Sequence, residues 1–324
     1  MATAFRAWIA VFLPDHPARL PAMKIHCLSG PTDPETAATL AVFEKEFTYP
    51  LGPDFSFAIS HGTDYSRFFR SMGEAKIYLA EISGEIVGAL ATVQRHAILA
   101  DGSTLPTIYL CDAKVASAHR GRTVLGRLAT KAREDAIAAD YQAAYSVVMS
   151  GSIPTTAYTG RLGIPAFKPI SEQAVLRFET PSEFRRIAIS TPVQHENHLR
   201  FQAGNSALTS EIRPQILEVD GANGVLVDTR RGKKLWQSDG HEIISAHLTG
   251  AIFSSAQALA DLITLAVEQA VALGFPGLFL SLAADDPTLA SILDSAVIKP
   301  TIAYATVYGT GLPVGRWAIE TSEI

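Results

Sequence analysis

The chain has 324 residues, 48% of them hydrophobic and 18% charged, with a formal net charge of −5. That length suits two domains, and the composition supports packed cores while excluding long disorder. The lack of a long Lys/Arg run disfavours binding driven by neutralising phosphates, so no nucleic-acid partner is expected. The two cysteines, Cys27 and Cys111, offer no disulfide framework or zinc spacing, so no metal is expected and a reducing cytoplasm fits.

In chain order, Ala7 to Leu13 is a short apolar run that meets Pro14, Asp15 and His16. It lacks the basic start, long apolar core and small-residue cleavage site of a secretory signal. Residues 1–22 therefore read as an extension. No apolar stretch approaches the roughly 20 residues of a membrane helix, so no membrane partner is expected.

Met23 to Leu28 reads as a strand. Thr32 or Asp33 then caps a helix with Pro34 in its first turn, and Ala37, Leu40, Ala41 and Phe43/Glu44 carry it on towards Phe47. An aromatic, irregular stretch follows, with Tyr49, Phe55, Phe57, Tyr65, Phe68 and Phe69. Strands are predicted over 76–82, 86–96 and 105–115, the last two joined by the hairpin turn Asp101-Gly102. A helix is predicted over 124–139, its apolar stripe formed by Leu125, Leu128, Ala132, Ala136 and Ala139. A strand over 144–149, a short helix over 155–162 and a strand over 168–178 close the unit.

The second half repeats this order weakly. A hairpin turns at Arg231-Gly232 between 224–229 and 234–237, and a strand covers 242–248. A helix over 256–273 is capped by Gly274. A strand over 278–282, a helix over 288–295 and a strand over 303–309 follow. A pattern seen twice favours two copies of one α/β architecture over a single large sheet.

The chemistry concentrates where the strand Tyr109-Leu110-Cys111-Asp112-Ala113-Lys114-Val115 runs through Ala116 to His119 into Arg120-Gly121-Arg122-Thr123 and the helix from Val124. A helix start offers unpaired amides and the positive end of the helix dipole. It can hold phosphate with few basic side chains. Gly121 permits close backbone approach, and Arg120 and Arg122 add charge. An ordinary turn with a surface arginine pair explains the loop equally well on its own.

With its surrounding strand–helix order, this segment resembles the GNAT N-acetyltransferase superfamily over about residues 23–178. There the strand ends apolar-x-Val, matched here by Ala113-Lys114-Val115, and the loop reads Arg-Gly-x-Gly/Ala. Thr123 departs from that last position, and Ala113 is smaller than the usual leucine. With Arg161-Leu162-Gly163-Ile164-Pro165, the chain is similar to bacterial tandem-GNAT proteins.

The resemblance implies two GNAT-like domains in tandem, 23–181 and 182–324. Each is a mostly antiparallel mixed α/β sheet flanked by helices. It implies acetyl-CoA, or another acyl-CoA, as co-substrate. The backbone of Ala113, Lys114 and Val115 would pair with the pantetheine arm, and the amides of Arg120, Gly121, Arg122, Thr123, Val124, Leu125 and Gly126 would hold the diphosphate. An amine would then attack the thioester directly.

Two residues are candidate catalytic groups. Asp112 is a carboxylate in an apolar strand, and burial is expected to raise its pKa towards that of a useful base; a structural ion pair is the competing reading. Tyr158 lies where GNAT enzymes place the acid for the leaving thiolate, although Ser152 replaces the motif asparagine. Glu81 and His96 are weaker candidates. Cys111 lacks any activating neighbour in sequence. The aromatic stretch is expected to line the acceptor side.

In the second half, the equivalent stretch His247 to Ser255 has one glycine and no arginine. It reads as a degenerate copy that caps the site, binds acceptor or forms a dimer interface. Trp317 and Ile319 are expected in its sheet, and the carboxylate of Ile324 is a remote catalytic candidate. The function expected is acetyl transfer to a primary amine of a small molecule. The alternatives are a non-catalytic acyl-CoA sensor and a protein lysine or N-terminal acetyltransferase.

Overall fold

The computed structural model describes residues 23–51, 55–158, 164–181, 186–189, 199–297 and 299–324. The expected extension (1–22) and residues 159–163, which include Arg161 to Gly163, lie outside the described residues.

Strand β1 (Lys24–Leu28) leads to helix α1 (Pro34–Glu44). Asp33 caps that helix by accepting the Thr36 N–H at 2.9 Å, while the hydroxyl of Thr32 accepts from the Ser66 N–H instead. The stretch expected to be irregular is ordered as β2 (Tyr49–Leu51), β3 (Phe55–Ser60) and α2 (Ser66–Met72). Next come β4 (Ala75–Ile82), β5 (Glu85–Ile98), β6 (Thr104–Val115), α3 (Val124–Ala138) and β7 (Ala143–Met149). Of the short helix expected over 155–162, the described residues form a 3-10 turn at Thr155–Tyr158; β8 (Lys168–Glu179) and β9 (Leu199–Phe201) follow.

The remainder comprises β10 (Gln215–Val219), β11 (Ala222–Val227), β12 (Lys234–Gln237), β13 (Ala246–Phe253) and α4 (Ala256–Ala272). Then follow β14 (Gly277–Ala283), α5 (Pro287–Ser295), β15 (Thr301–Thr310) and β16 (Trp317–Ala318).

The strands form one mixed sheet in the order β1-β4-β5-β6-β7-β15-β8-β14-β13-β11-β10, with β9 pairing the last residues of β5 and β16 pairing β9. The two halves trade their last strands. β15, from the second half, pairs with β7, whereas β8, from the first half, pairs with β14. β8 and β15 also pair with each other, so the halves share a continuous backbone ladder.

Two sequence expectations are corrected here. β12 does not form a hairpin with β11. It crosses to β3 and builds a small sheet, β12-β3-β2, from both halves. Trp317 joins not the second half's own sheet but β9, and through it β5. Fully buried, it stacks on Phe201, which stacks on Tyr145, which stacks on Tyr109, with ring centroids 4.8, 3.8 and 4.5 Å apart.

The packing follows from sequence alternation. Ile77 and Leu79 face α1 and α2, while Tyr78 and Ala80 face α3, and both faces of β4 are buried. In α4 the stripe Leu259, Leu262, Ile263, Ala266, Val267 and Ala270 is fully buried against β11, β13 and β14. Each large aliphatic there contributes roughly 1.5–3 kcal/mol.

Candidate active site

β6 and β7 run parallel and pair only from Thr107↔Ala143 to Tyr109↔Tyr145. Beyond that point β6 continues to Val115 and β7 to Met149 without pairing each other, so the sheet opens into a V. The stacked pair Tyr109–Tyr145 forms its vertex. A cavity of about 920 Å³ occupies the opening and reaches both faces of the sheet. On one face it is lined by Leu125, Ala129, Ala132 and Ala136 of α3, with Thr155, Tyr158 and Ile164 opposite. On the other it is lined by Tyr49, Phe57, His61, Phe68 and Phe69. The aromatic stretch therefore lies on the far side of the V from α3, where the sequence reading put the acceptor.

At the cavity mouth the loop before α3 is exposed, with Gly121 at φ +75° and Thr123 at φ +41°. The left-handed conformation suits Gly121; in the β-branched Thr123 it is strained. No described residue accepts a hydrogen bond from the amides of Gly121 to Gly126. These amides, at the positive end of a 15-residue helix, face the opening together with the exposed Arg120 and Arg122. The arrangement can hold a diphosphate. Beyond the vertex, the edge of β6 at Ala113 to Val115 has backbone groups available to an extended arm.

Asp112 departs from the sequence reading. β6 carries a bulge, with Asp112 and Ala113 opposite the single residue Leu90, and Asp112 sits at φ +53°. The bulge ends the simple alternation of faces and aims the carboxylate into a buried cluster. Its Oδ1 lies 2.7 Å from Lys114 Nζ, and its Oδ2 accepts from the Tyr65 hydroxyl. Lys114 Nζ is also 3.4 Å from Glu44 Oε1, and all three charged side chains are almost fully buried.

Burial pushes the Asp112 carboxyl upward as expected. The Lys114 ammonium and the Tyr65 hydrogen bond outweigh burial and hold it below the ordinary carboxylate value. A salt-bridged carboxylate with a lowered pKa is a poor general base. Lys114, expected to act through its backbone, points its side chain into this cluster and away from the α3 groove.

Tyr158 lines the cavity on the α3 side and packs against the cluster around Val124 and Leu128. Glu81 and His96 do not line it. Glu81 pairs with His26 at 2.9 Å, and His96 is exposed. The Cys111 thiol faces the cavity, and burial raises its pKa well above the ordinary value, which keeps it unreactive.

The sequence reading missed several lining residues. His61 pairs with Glu44, Nδ1 to Oε1, at 2.5 Å. Glu44 was legible as a carboxylate at the end of the apolar stripe Ala37, Leu40; His61 had no such signal. Lys233 reaches in from the second half, lies 4.5 Å from the Phe68 ring centre and donates to the Ile324 main-chain oxygen. Burial pulls its pKa down to about 7, against the pull of Glu323. Glu323 itself pairs with Arg95 at 2.9 Å.

The second half has the same backbone irregularity. Gly250 and Ala251 of β13 lie opposite the single residue Gly224, and Gly250 has φ +60°. β13 and β14 also pair only at Ala246↔Leu278 and His247↔Phe279 before diverging. This second opening is filled by the chain itself. Glu320 accepts from the Gly250 N–H at 2.8 Å, the Ser281 hydroxyl donates to the Ile319 oxygen, and His247 Nδ1 lies 3.0 Å from Thr321 Oγ1. The stretch His247 to Ser255 that borders this gap also contains no arginine.

Burial holds His247 neutral, with its pKa lowered to about 3, and the Lys233 charge acts in the same direction. Below pH 6.5 the unfolded chain takes up a proton that the folded chain refuses, so stability falls as pH drops from 6.5 towards 3. A His247→Gln variant is expected to lose less stability between pH 7 and pH 4 than the wild type. The difference is on the order of 2–4 kcal/mol, measured by urea denaturation at the two pH values.

Residues 32–160 match the family model described as "Acetyltransferase (GNAT) domain", and this segment holds the opening, the bulge and the loop before α3. That match assigns this segment to the GNAT superfamily. Among solved structures, the chain is similar to Saccharomyces cerevisiae N-myristoyltransferase with bound myristoyl-CoA. The TM-score is 0.58 at 10% identity, covering 93% of this chain and 86% of that one. A second such structure gives 0.57 at 12% identity over 93% and 82%. A third, with myristoyl-CoA and inhibitors, gives 0.56 at 11% over 92% and 82%. At these identities the likeness shows a shared fold across both halves. No curated relative matches the sequence.

Proposed function

We propose that the protein is an acyl-CoA-dependent N-acyltransferase that moves an acetyl or other short acyl group from CoA to a primary amine of a small molecule. The observation that carries this reading is one cavity joining three features: the V between β6 and β7, the bulge at Asp112, and the unpaired amides from Gly121 to Gly126. The diphosphate would rest on those amides, the pantetheine arm along Ala113 to Val115, and the thioester at the vertex. The aromatic wall on the opposite face would receive an acceptor with an apolar part. The second half would act as a degenerate copy that completes the acceptor side through Lys233 and β12.

The solved neighbours, N-myristoyltransferases in complex with myristoyl-CoA, make donor length worth testing directly. Thiol release should be followed with acetyl-, hexanoyl- and myristoyl-CoA against a panel of amines. Turnover fastest with acetyl-CoA and a small apolar amine is expected. Turnover only with myristoyl-CoA or peptide amines would replace the small-molecule reading, and tight binding without turnover on any amine would favour a sensor.

Tyr158 would protonate the departing thiolate. Tyr158→Phe should lower kcat by about 10- to 100-fold with an unchanged acyl-CoA Kd. An unchanged kcat would assign Tyr158 to packing alone.

A further inference from the structure

Direct transfer needs a group that accepts a proton from the attacking amine, and Asp112 is committed to Lys114. We propose that His61, held by Glu44, is that general base, an assignment that rests on the acyltransfer reading above.

Glu44 grips His61 twice, accepting from the backbone N–H at 3.1 Å and pairing with ring Nδ1 at 2.5 Å. His61 and Glu44 are almost fully buried. The ring is wedged among Tyr65, Phe69 and Phe68, with centroids 4.7, 5.1 and 5.5 Å away. With Nδ1–H directed at a carboxylate, the free lone pair is on Nε2. Nε2 has no hydrogen-bond partner among the described residues, and His61 lines the cavity.

Its position fits the chemistry. Tyr65 donates to Asp112 and also packs against His61, so the imidazole stands one ring away from the bulge beside the vertex. Several other charged groups at the cavity are engaged: Glu44 and Asp112 by Lys114, Lys233 by the terminal residue Ile324, and Glu323 by Arg95.

In the step itself the neutral amine nitrogen attacks the thioester carbonyl carbon and forms the C–N bond, and its extra proton passes to Nε2. The C–S bond breaks, its electron pair leaves with sulfur, and Tyr158 protonates the thiolate. The proton held by His61 then returns to Tyr158 through water. The acceptor loses one hydrogen and CoA gains one.

The test uses the full chain with acetyl-CoA and a turned-over amine. His61→Gln is expected to lower kcat by about 100-fold or more and to flatten the acidic limb of the pH profile, with acetyl-CoA affinity unchanged by calorimetry. The groups facing that imidazole are Glu44 from α1, Tyr65 at the start of α2, Asp112 and Lys114 from β6, with Tyr49 and Lys233 on the cavity wall. Added imidazole should restore part of the turnover of His61→Ala. For variants that fail to fold, the wild type serves: carbethoxylation of His61, located by peptide mass, should inactivate it, and acetyl-CoA with acceptor should protect it. A folded His61→Gln enzyme with wild-type kcat and pH profile, or full activity after His61 is modified, overturns the assignment alone. Wild-type protein that binds acetyl-CoA yet releases no thiol with any amine overturns the acyltransfer reading, and the role of His61 with it.

Discussion

Replacing Lys114 with methionine is expected to destabilise the protein by about 3–5 kcal/mol, the loss typical when one partner of a buried ion pair is removed. Burial acts against the Lys114 ammonium, but Asp112, Tyr49 and Glu44 overcome it and keep the group charged. Methionine fills much the same volume, so the loss is electrostatic: Asp112 and Glu44 are left buried without their shared cation. The partner variant Asp112→Asn should cost less, because asparagine tolerates the left-handed backbone at φ +53° and Lys114 keeps Glu44. Combining the two should recover part of the Lys114→Met loss, which a double-mutant cycle of urea midpoints will read. Asp112 stabilises the fold above its unfolded pKa, and that contribution disappears as pH falls through its lower folded pKa. A Lys114→Met protein as stable as wild type at pH 7 would mean that the cluster is not the buried ion pair described.

Gly121→Glu should weaken acyl-CoA binding by about 100-fold, the equivalent of about 3 kcal/mol, while leaving the fold intact. Gly121 is exposed at φ +75°, and a Cβ there would meet no atom within 4 Å, so the core is untouched. Two effects remain. A side chain strains the left-handed backbone by roughly 1–2 kcal/mol. The new carboxylate also brings negative charge to the place where a diphosphate would rest. Gly121→Ala separates them, because it carries the strain without the charge, and a loss of about tenfold is expected. Equal affinity in all three proteins, measured by competition with a fluorescent CoA derivative, would move the phosphate site elsewhere.

Much of the fold was legible because its signals are local. Short apolar runs located β4 to β6, the Asp101-Gly102 turn joined β5 to β6, and the stripe from Leu259 to Ala270 defined α4 almost to its ends. Strand exchange was not legible, since β8 and β15 have the composition of any buried strand and their partners lie over a hundred residues away. β12 looked like a hairpin arm because its neighbour β11 is close in sequence; its true partner β3 is some 175 residues earlier. At the site, the Arg-Gly loop announced itself through residue type and position. The sign of the Asp112 shift did not, because it depends on Lys114 and on a bulge that turns both side chains to one place. His61 was invisible for the same reason: its meaning comes from Glu44, 17 residues away, and from the cavity it faces.

The central claim is that coenzyme A enters the gap between β6 and β7 and lays its phosphates on the first turn of α3. Hydrogen–deuterium exchange of the full chain, with and without saturating acetyl-CoA, tests it most directly. Slowed exchange is expected at the amides of residues 113–115 and 121–126, with residues 250–258 of the second half unchanged. Protection confined to residues 250–258, or no protection in either segment while the protein is folded, would contradict it.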